Sequence, residues 1–540
     1  HSRCVFSSRR FFLRAHFLPV TSPVSRLPAR ALAACRSSCL ERMATFGDSF
    51  ESAASSSAAR SRRQQRSSAA EPLPAARMPR FKCPFRDSVV YDVFLEEGFE
   101  ETQTDGDWDI FWCQRLQEFR ADFLDGQTWQ AHQRVNHFRN HYELTRKDLL
   151  AKNIRRAQEE ALRDGHDDDA RCFAACLPPT FVLPAEYKAF LSEFRKAESV
   201  SNDAAWIMKP VSKSQGRGIF VFSKLSEILD RRDDFVTFAG WLRKHGMDAA
   251  AAAETTCAPS GYAIPAKKQV ARGSLPTSAV LPGSRSRPTE GNEYIPGIPY
   301  VVQQYISDPL LIGGKKFDLR LYVLVISYSP LIVYLYRSGF ARFSGVRFSS
   351  DAADLSNASM HLTNVSVQKK CDSYDEKRGS QWELNYFKKF LVACEGEERV
   401  NTLFGAMQDL ILYSLLSVQK VMVQDRRCFE LYGYDVLVSS GLRPWLLEVN
   451  ASPSLTANTT EDYALKAALV RDVLAVLELE RHPGAGESRR VGGFDMLCRG
   501  EKRFAPPTAA AYRTYLGCHI DRPTAGRRCR ERRAGGELCG

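Results

Sequence analysis

Apolar residues recur along this chain with two periods, and the changes between them mark most of its elements. Period two dominates from Tyr300 onward. Leu321 to Tyr336 is the most apolar run, and Ser327, Ser329 and Pro330 interrupt it. It therefore reads as two buried strands joined by a turn, too short and broken to span a membrane. Just before it, Phe317, Leu319 and Leu321 alternate with Asp318 and Arg320, so the two charged residues share the opposite face. Tyr434 to Val438 and Trp445 to Val449 predict a hairpin turning at Ser439-Ser440-Gly441, and Trp206 to Met208 and Tyr300 to Val302 predict further strands. Period 3.6 appears in Leu403 to Met422, where Phe404, Met407, Ile411, Leu415, Val418 and Met422 fall on one helical face that reads as core. A helix is also expected over Ala185 to Lys196, after the loop punctuated by Pro178, Pro179 and Pro184, and another over Lys147 to Arg156 with Thr145 as its N-cap. His137 and His141 have the i, i+4 spacing that can bind zinc on a helix. No Glu-x-x pattern lies between them, so packing or hydrogen bonding is the favoured reading.

Where periodicity fails, the chain divides. Residues 1–77 are rich in Ser, Arg and Ala and read as a disordered extension. Their first forty residues hold seven arginines and no acid, a transit-peptide composition, but the first methionine is Met43 and an over-extended start accounts for this equally. Residues 240–298, with Ala249 to Ala253 and then Pro, Ser, Gly and Arg without period, predict a disordered insertion, which loop entropy tolerates. The expected organisation is an N-terminal domain over 78–200, a central domain over 201–299 that carries the insertion, a C-terminal domain over 300–480 and a basic disordered tail over 481–540. The fold class is mixed α/β (α+β).

At 540 residues the chain is too long for one core, and a formal charge of +12 points to an acidic partner. No aromatic RNA-binding motif, helix-turn-helix pattern or zinc-finger spacing occurs, which argues against nucleic acid, and no span argues for a membrane. Fifteen cysteines lack paired spacing (Cys172 and Cys176 have no matching second pair), which suits a reducing compartment.

Candidate chemistry concentrates at strand ends. Alternation on the 434–449 hairpin brings Asp435, Glu448 and Asn450 to one end, an all-oxygen set suited to Mg²⁺ and not to zinc. A turn aspartate and an edge charge fit the bare D-x12-E-x-N pattern equally well. Lys209 closes the 206–208 strand before a loop with Gly216 and Gly218, an arrangement that can hold phosphates or simply turn the chain. For Asp318 and Arg320 a surface ion pair worth under about 1 kcal/mol is the plain alternative.

Eight strings recur in one order over 206–455: WIMKP (206–210), SQGRGIF (214–220), QQYI (303–306), GGKKFDLRLYVLV (313–325), GFARF (339–343), HLTNV (361–365), CFELYGYD (428–435) and PWLLEVNASPSL (444–455). In these the chain resembles the tubulin tyrosine ligase-like family of ATP-grasp ligases, in particular its polyglutamylases. The resemblance runs from about Trp108 to Phe494 and implies an ATP-grasp fold with the nucleotide between the central and C-terminal domains. It implies that Lys209 and Lys316 hold ATP phosphates under a mobile loop of Gln215, Gly216, Arg217 and Gly218. Gln303, Gln304, Tyr305 and Ile306 would offer backbone groups to adenine, with side-chain identity of little account. Asp318, Thr363 and Asn364 would contact nucleotide, and Arg320 would lie at the transferred phosphate. Arg342 would fork onto the carboxylate of the incoming amino acid, and Glu448 would bridge two Mg²⁺ ions with Asp435 and Asn450. Polyglutamylases carry a lysine before the tryptophan of the next segment; here Gln381 precedes Trp382, which weakens the inference of glutamate as donor. The implied activity is ATP-dependent addition of free L-glutamate to tubulin tails in the cytoplasm and cytoskeleton, serving axonemes and basal bodies of cilia or flagella. Short family members work with partner subunits, so such partners are implied. The alternatives are a glycine ligase, a non-tubulin substrate, or a non-catalytic microtubule adaptor. A protein kinase is disfavoured because no H-R-D or D-F-G string occurs.

Overall fold

The computed structural model describes residues 78–104, 106–114, 130–200, 204–211, 213, 216–225, 227, 299–371, 381–457, 459–481, 489–506 and 513–520. The expectations for 1–77 and 240–298 lie outside these residues. Within them, the period-two runs form three sheets. Strands β1 (Arg80–Lys82), β2 (Glu100–Glu101), β3 (Ile110–Phe111) and β4 (Arg134–Val135) make a small parallel sheet in the order β2-β1-β3-β4. An antiparallel sheet ordered β5-β8-β6-β7 follows, from β5 (Thr180–Leu183), β6 (Trp206–Pro210), β7 (Phe220–Phe222) and β8 (Tyr300–Gln304). The third sheet has nine strands: β9 (Leu311–Ile312), β10 (Lys315–Tyr328), β11 (Leu331–Phe343), β12 (Gln381–Glu383), β13 (Glu430–Val438), β14 (Pro444–Asn450), β15 (Arg490–Val491), β16 (Phe494–Arg499) and β17 (Lys502–Arg503). Its spine runs β14-β13-β10-β11-β16-β15, every pair antiparallel.

The described helices are α1 (Val89–Glu96), α2 (Tyr142–Thr145), α3 (Lys147–Arg163), α4 (Asp167–Cys176), α5 (Tyr187–Val200), α6 (Ala358–His361), α7 (Val365–Gln368), α8 (Leu384–Glu395), α9 (Glu397–Gln419) and α10 (Thr460–Arg481). They cover both faces of the large sheet. Phe317, Leu319, Leu321, Val323 and Val325 point from β10 into a core shared with α3, α4, α8 and α9. Tyr322 and Leu324 enter a second core with α1 and α10. Double coverage is why 321–336 reads as an almost unbroken apolar run. It also fixes where the charged residues go: Lys316, Asp318 and Arg320 fall, two residues apart, on the face of Tyr322 and Leu324. The 404–418 stripe is core, as its period requires, and Met422 joins that core beyond the end of α9.

Several boundaries differ from the sequence reading, each for a local reason. Thr145 does not cap α3. Its hydroxyl donates to the His141 carbonyl inside α2, and α3 starts from Arg146 with no side-chain cap and runs on to Arg163. His137 lies before α2 in non-helical chain and His141 is the residue that caps α2, so the two histidines do not share a helical face. The 185–196 helix is shifted to Tyr187–Val200, because Glu186 turns its carboxylate onto the Val182 backbone N–H ahead of it. Strand β6 continues through Pro210, so Lys209 sits within it, opposite Val301.

The expected breaks at 200 and 299 cut through one sheet, since β5 and β8 pair along Thr180↔Gln303 to Leu183↔Tyr300 and α5 packs Tyr187, Phe190 and Phe194 on Trp206 and Phe222. The expected disordered tail is corrected too. Within 481–540, β16 hydrogen-bonds to β11 and buries Phe494, Met496, Leu497 and Cys498, and the Arg337 guanidinium forks onto Asp495 at 2.6 and 2.7 Å. Short strands with one charged residue in two carry too little periodicity to be seen in the chain. Among the described residues no helix is long and apolar enough to cross a membrane.

Candidate active site

A cleft forms where the ends of the β5–β8 sheet face the polar end of the nine-stranded sheet. It is lined by Lys209, Gly216, Gln303, Gln304, Tyr305, Ile306, Lys316, Asp318, Thr363, Asn364, Asp435 and Glu448, twelve residues nominated from the sequence, with Ile207, Ile219, Leu362, Leu437 and Leu447 as apolar walls. The enclosed part is small, about 70 Å³. A larger cavity of about 270 Å³ lies between β16 and the segment ending in Leu516, and it contains none of the nominated residues. The nominated residues meet in the smaller space.

The carboxylates are held in an ionic lattice. On β13, Asp435 stands opposite Arg320 of β10 and Glu448 of β14, and Leu447 is a bulge residue in between. Arg320 forks onto Asp435, Nε to Oδ1 at 2.6 Å and Nη2 to Oδ2 at 3.2 Å. Arg342, opposite Asp318 in the β10–β11 pair, forks onto Asp318 through Nε and Nη2 and also reaches Asp435 Oδ2 at 2.9 Å. Burial alone would raise the Asp435 pKa, but Arg320 and Arg342 overcome it and hold this carboxyl well below the usual range. The fork expected for an amino-acid carboxylate is thus used on Asp318, and neither arginine lines the cleft directly. Gly433 makes room for Arg320: a Cβ there would stand 2.8 Å from Pro453 Cβ and 3.3 Å from Arg320 Cδ.

Asn450 stands opposite Gly433 and donates through Nδ2 to the Gly433 carbonyl at 3.3 Å and to Asp435 Oδ2 at 3.5 Å. The predicted trio therefore converges, with Oδ1 as the amide atom to offer a cation. Two carboxylates and an amide oxygen fit a hard cation by donor chemistry. Sequence reasoning missed Lys147. From the first turn of α3 its ammonium lies 3.1 Å from Glu448 Oε2 and donates to the Lys213 carbonyl at 3.2 Å. Lys147 and Glu448 are 301 positions apart, beyond any spacing signal.

The two lysines are buried. Lys209 donates to Gln303 Oε1 at 2.8 Å, Gln303 Nε2 donates to Thr180 Oγ1 at 2.8 Å, and Thr180 donates to the Pro178 carbonyl at 2.6 Å. Lys316 donates to the Tyr305 hydroxyl at 2.9 Å and to the His361 carbonyl at 3.0 Å. Desolvation pushes Lys209 down to about 8 and Lys316 down to about 7. Side chains in QQYI therefore matter: Gln303 and Tyr305 orient the two ammonium groups, where the sequence reading gave them only backbone roles.

In the glycine loop, Gln215 lies outside the described residues, Arg217 is exposed, and Gly218 is buried without lining the cleft. Gly216 has φ +75°, and a Cβ on it would stand 3.0 Å from Val367 and 3.4 Å from Leu362, so the loop rests on the segment of Thr363 and Asn364. Gln381 is placed opposite Arg342 across β11–β12.

His137, His141 and Glu430 also bring ligand atoms within 4.8 Å of one another. Both nitrogens of His137 face oxygen, Glu430 Oε1 at 2.9 Å and the Cys113 carbonyl at 3.1 Å, while Glu430 Oε2 accepts the Phe138 N–H at 3.0 Å. Both ring nitrogens are thus engaged within the protein, and the group ties β13 to the segment after β4.

The tubulin-tyrosine ligase family profile matches residues 127–484, which include the whole cleft. The chain belongs to the tubulin-tyrosine ligase family. It is 43% identical over 419 residues to the "Probable tubulin polyglutamylase TTLL9" of Bos taurus, covering 77% of this chain and 83% of the relative. To "Probable tubulin polyglutamylase ttll-9" of Caenorhabditis elegans it is 38% identical over 422 residues, 78% of this chain and 85% of the relative. To "Probable alpha-tubulin polyglutamylase Ttll1" of Tetrahymena thermophila it is 35% identical over 441 residues, 78% and 93% of the two chains.

Proposed function

We propose that this protein is an ATP-dependent ligase that adds glutamate to glutamate side chains of tubulin tails. The observation that carries this is one cleft in which two buried lysines, backbone of the 303–306 linker and an all-oxygen donor set meet. It is supported by membership of a family whose similar members are named tubulin polyglutamylases. The nucleotide would lie between the β5–β8 sheet and the large sheet, in an ATP-grasp arrangement. Lys209 and Lys316 would meet its phosphates, Gly216 with Gln215, Arg217 and Gly218 would close over them, and Thr363 and Asn364 would line the wall. Asp435, Glu448 and Asn450 would hold Mg²⁺, which supplies charge neutralisation at the phosphates when bound.

In the first step a γ-carboxylate oxygen of the acceptor glutamate attacks the γ-phosphorus of ATP. The bond to the β-phosphate oxygen breaks, leaving ADP and an acyl phosphate. The amine of free glutamate then attacks the acyl carbon, phosphate leaves with the C–O bond, and the ammonium proton passes to water. Arg320 would offset charge on the transferred group, and Arg342, opposite Gln381, would orient the incoming amino acid once Asp318 releases part of its fork. Catalysis on this account is positioning and electrostatics. The formal charge of +12 suits an acidic tail as acceptor. A tubulin substrate would put the protein at the cytoskeleton, with cilia or flagella and their basal bodies the expected sites.

Incorporation of labelled glutamate, glycine or tyrosine into microtubules with Mg-ATP tests the reading, using purified protein and protein recovered with its cellular partner subunits. Glutamate transfer that is lost in Glu448→Gln is expected. Glycine transfer would move the donor assignment, for which Gln381 is the residue to examine. Microtubule binding with no transfer in either preparation would replace the ligase by an adaptor.

A further inference from the structure

We propose that His361, acting through Tyr305, is the positioning residue that sets the direction of the Lys316 ammonium in the cleft. The inference rests on the reading of Lys316 as a phosphate ligand, and geometry carries it. His361 Nε2 lies 2.9 Å from the Asp354 carbonyl oxygen, which can only accept, so Nε2 holds the ring proton. In the neutral ring Nδ1 is then an acceptor, and it lies 2.8 Å from the Tyr305 hydroxyl. The phenol therefore donates to His361 and turns its lone pairs to Lys316 Nζ at 2.9 Å. Lys316 makes a second bond to the His361 carbonyl at 3.0 Å and lies 4.5 Å from the Tyr305 ring centroid. One histidine thus holds Lys316 twice, by its own carbonyl and by the rotor of Tyr305. Two of the three ammonium hydrogens are fixed, which aims the third.

The groups that face His361 are few. Tyr305 comes from the end of β8 and Lys316 from β10. Asp354 closes the short helix Ala352–Asp354, and the Phe348 ring stands edge-on with its centroid 5.7 Å away. Burial lowers the His361 pKa most and Lys316 lowers it further, against the Asp354 carbonyl and carboxylate, which raise it. The ring is accordingly neutral at pH 7. Protonation at lower pH would put a hydrogen on Nδ1, remove the acceptor for Tyr305 and add a cation beside Lys316. No sequence spacing relates 305, 316 and 361, although His361 opens the HLTNV string.

Mg-ATP affinity and the split between kcat and KM, measured on the full chain from pH 5.5 to 8, test the relay in four variants. Tyr305→Phe, which deletes one hydroxyl, should weaken ATP binding about ten- to one-hundred-fold, the range for a hydrogen bond to a charged group. His361→Ala should do the same, and the double variant should lose no more than the worse single, because both break one chain. His361→Gln, with one donor and one acceptor, should restore most of the affinity and abolish the loss expected in the parent protein as pH falls through the His361 value, which burial holds below the ordinary histidine value of about 6.5. Multiplicative losses in the double variant, or an acid-side profile unchanged in His361→Gln, would overturn the relay. Lys316→Ala separates the two readings. If it abolishes ATP binding while Tyr305→Phe and His361→Ala bind normally, the relay alone fails. If it also binds normally, the phosphate role of Lys316 fails with it.

Discussion

Asp435 and Glu448 are nominated for the same cation, yet the structure gives them different second roles, and substitution should separate these. Asp435 is 2% exposed and carries the charge shared by the buried Arg342 and the partly buried Arg320. Asp435→Asn keeps its shape but takes from Arg320 the carboxylate it forks onto and leaves Arg342 with Asp318 alone, and breaking a buried pair of this kind costs about 3–5 kcal/mol. At about 2–4 °C per kcal/mol for a large domain, the melting temperature should fall by about 6–20 °C. Glu448 is paired with Lys147 at the cleft edge, their side chains 19% and 11% exposed, and such a pair contributes about 1 kcal/mol or less. Glu448→Gln should therefore melt within about 4 °C of the parent by the same conversion. Both variants should abolish ligation, and Mg-ATP should raise the melting temperature of the parent only.

The sign of the pH dependence follows from the depressed Asp435 value. Its contribution is complete above the unfolded aspartate value of about 3.9 and is lost as pH falls through the lower folded value. The melting gap between parent and Asp435→Asn should hold from pH 8 to about 5 and narrow below about 4. Differential scanning calorimetry with the glutamate-transfer assay decides the matter. An Asp435→Asn protein that melts with the parent would refute the ionic lattice, and a Glu448→Gln protein that melts as low as Asp435→Asn would make Glu448 structural.

Four further outcomes are expected. Gly433→Ala puts a Cβ 2.8 Å from Pro453, which should cost about 1–3 kcal/mol and displace Arg320 from Asp435, seen as a lower melting temperature with reduced turnover. Because Lys316 and Lys209 are pushed down to about 7 and about 8, ATP binding at pH 8 should take up protons. Calorimetry in buffers of different ionisation enthalpy reads this, and identical heats would refute it. Lys147→Met removes the cation beside Glu448 and should lower the Mg²⁺ concentration for half-maximal nucleotide binding about two- to five-fold, within the small energy of such a pair. Truncation after Ser488 strips β16 from β11 and exposes that edge together with Val333 and Tyr334, so the product should aggregate more than the full chain at equal concentration, as light scattering would report.

How much was legible in the chain depended on whether a residue's role follows from its own strand. The face of Asp318 and Arg320 follows from alternation with Phe317, Leu319 and Leu321, and the meeting of Asp435 with Glu448 follows from a hairpin whose turn is visible at Ser439-Ser440-Gly441. Twelve nominated residues line one cleft because those strings sit at strand ends that face each other. Partners from other strands were not legible. Alternation puts Arg342 and Asp318 on a face but does not say that β10 and β11 set them opposite, so the pairing of the arginine read as a substrate fork with Asp318 was not visible. Lys147 and the His361–Tyr305 contact depend on how α3 and the 348–368 segment pack, which no local pattern encodes. The strands after Arg489 were missed because their charged residues hide a period carried by only a few apolar positions.

The same distinction explains why the free cleft can keep its charges so close. Asp318 and Asp435 are balanced by Arg320 and Arg342 inside the lattice, and Glu448 by Lys147 at its edge. The remaining cations, Lys209 and Lys316, are desolvated to about 8 and about 7, so part of their charge is given up until an anion arrives. A polyphosphate would raise both by its own field and draw protons onto them. A divalent cation would compete with Lys147 for Glu448 and with Arg320 and Arg342 for Asp435. Anion and cation therefore favour each other's binding: either alone must disturb a balanced set, whereas together they replace charge with charge. Nucleotide affinity should accordingly depend on Mg²⁺ more steeply in the parent than in Lys147→Met, where one of the competing cations is already gone.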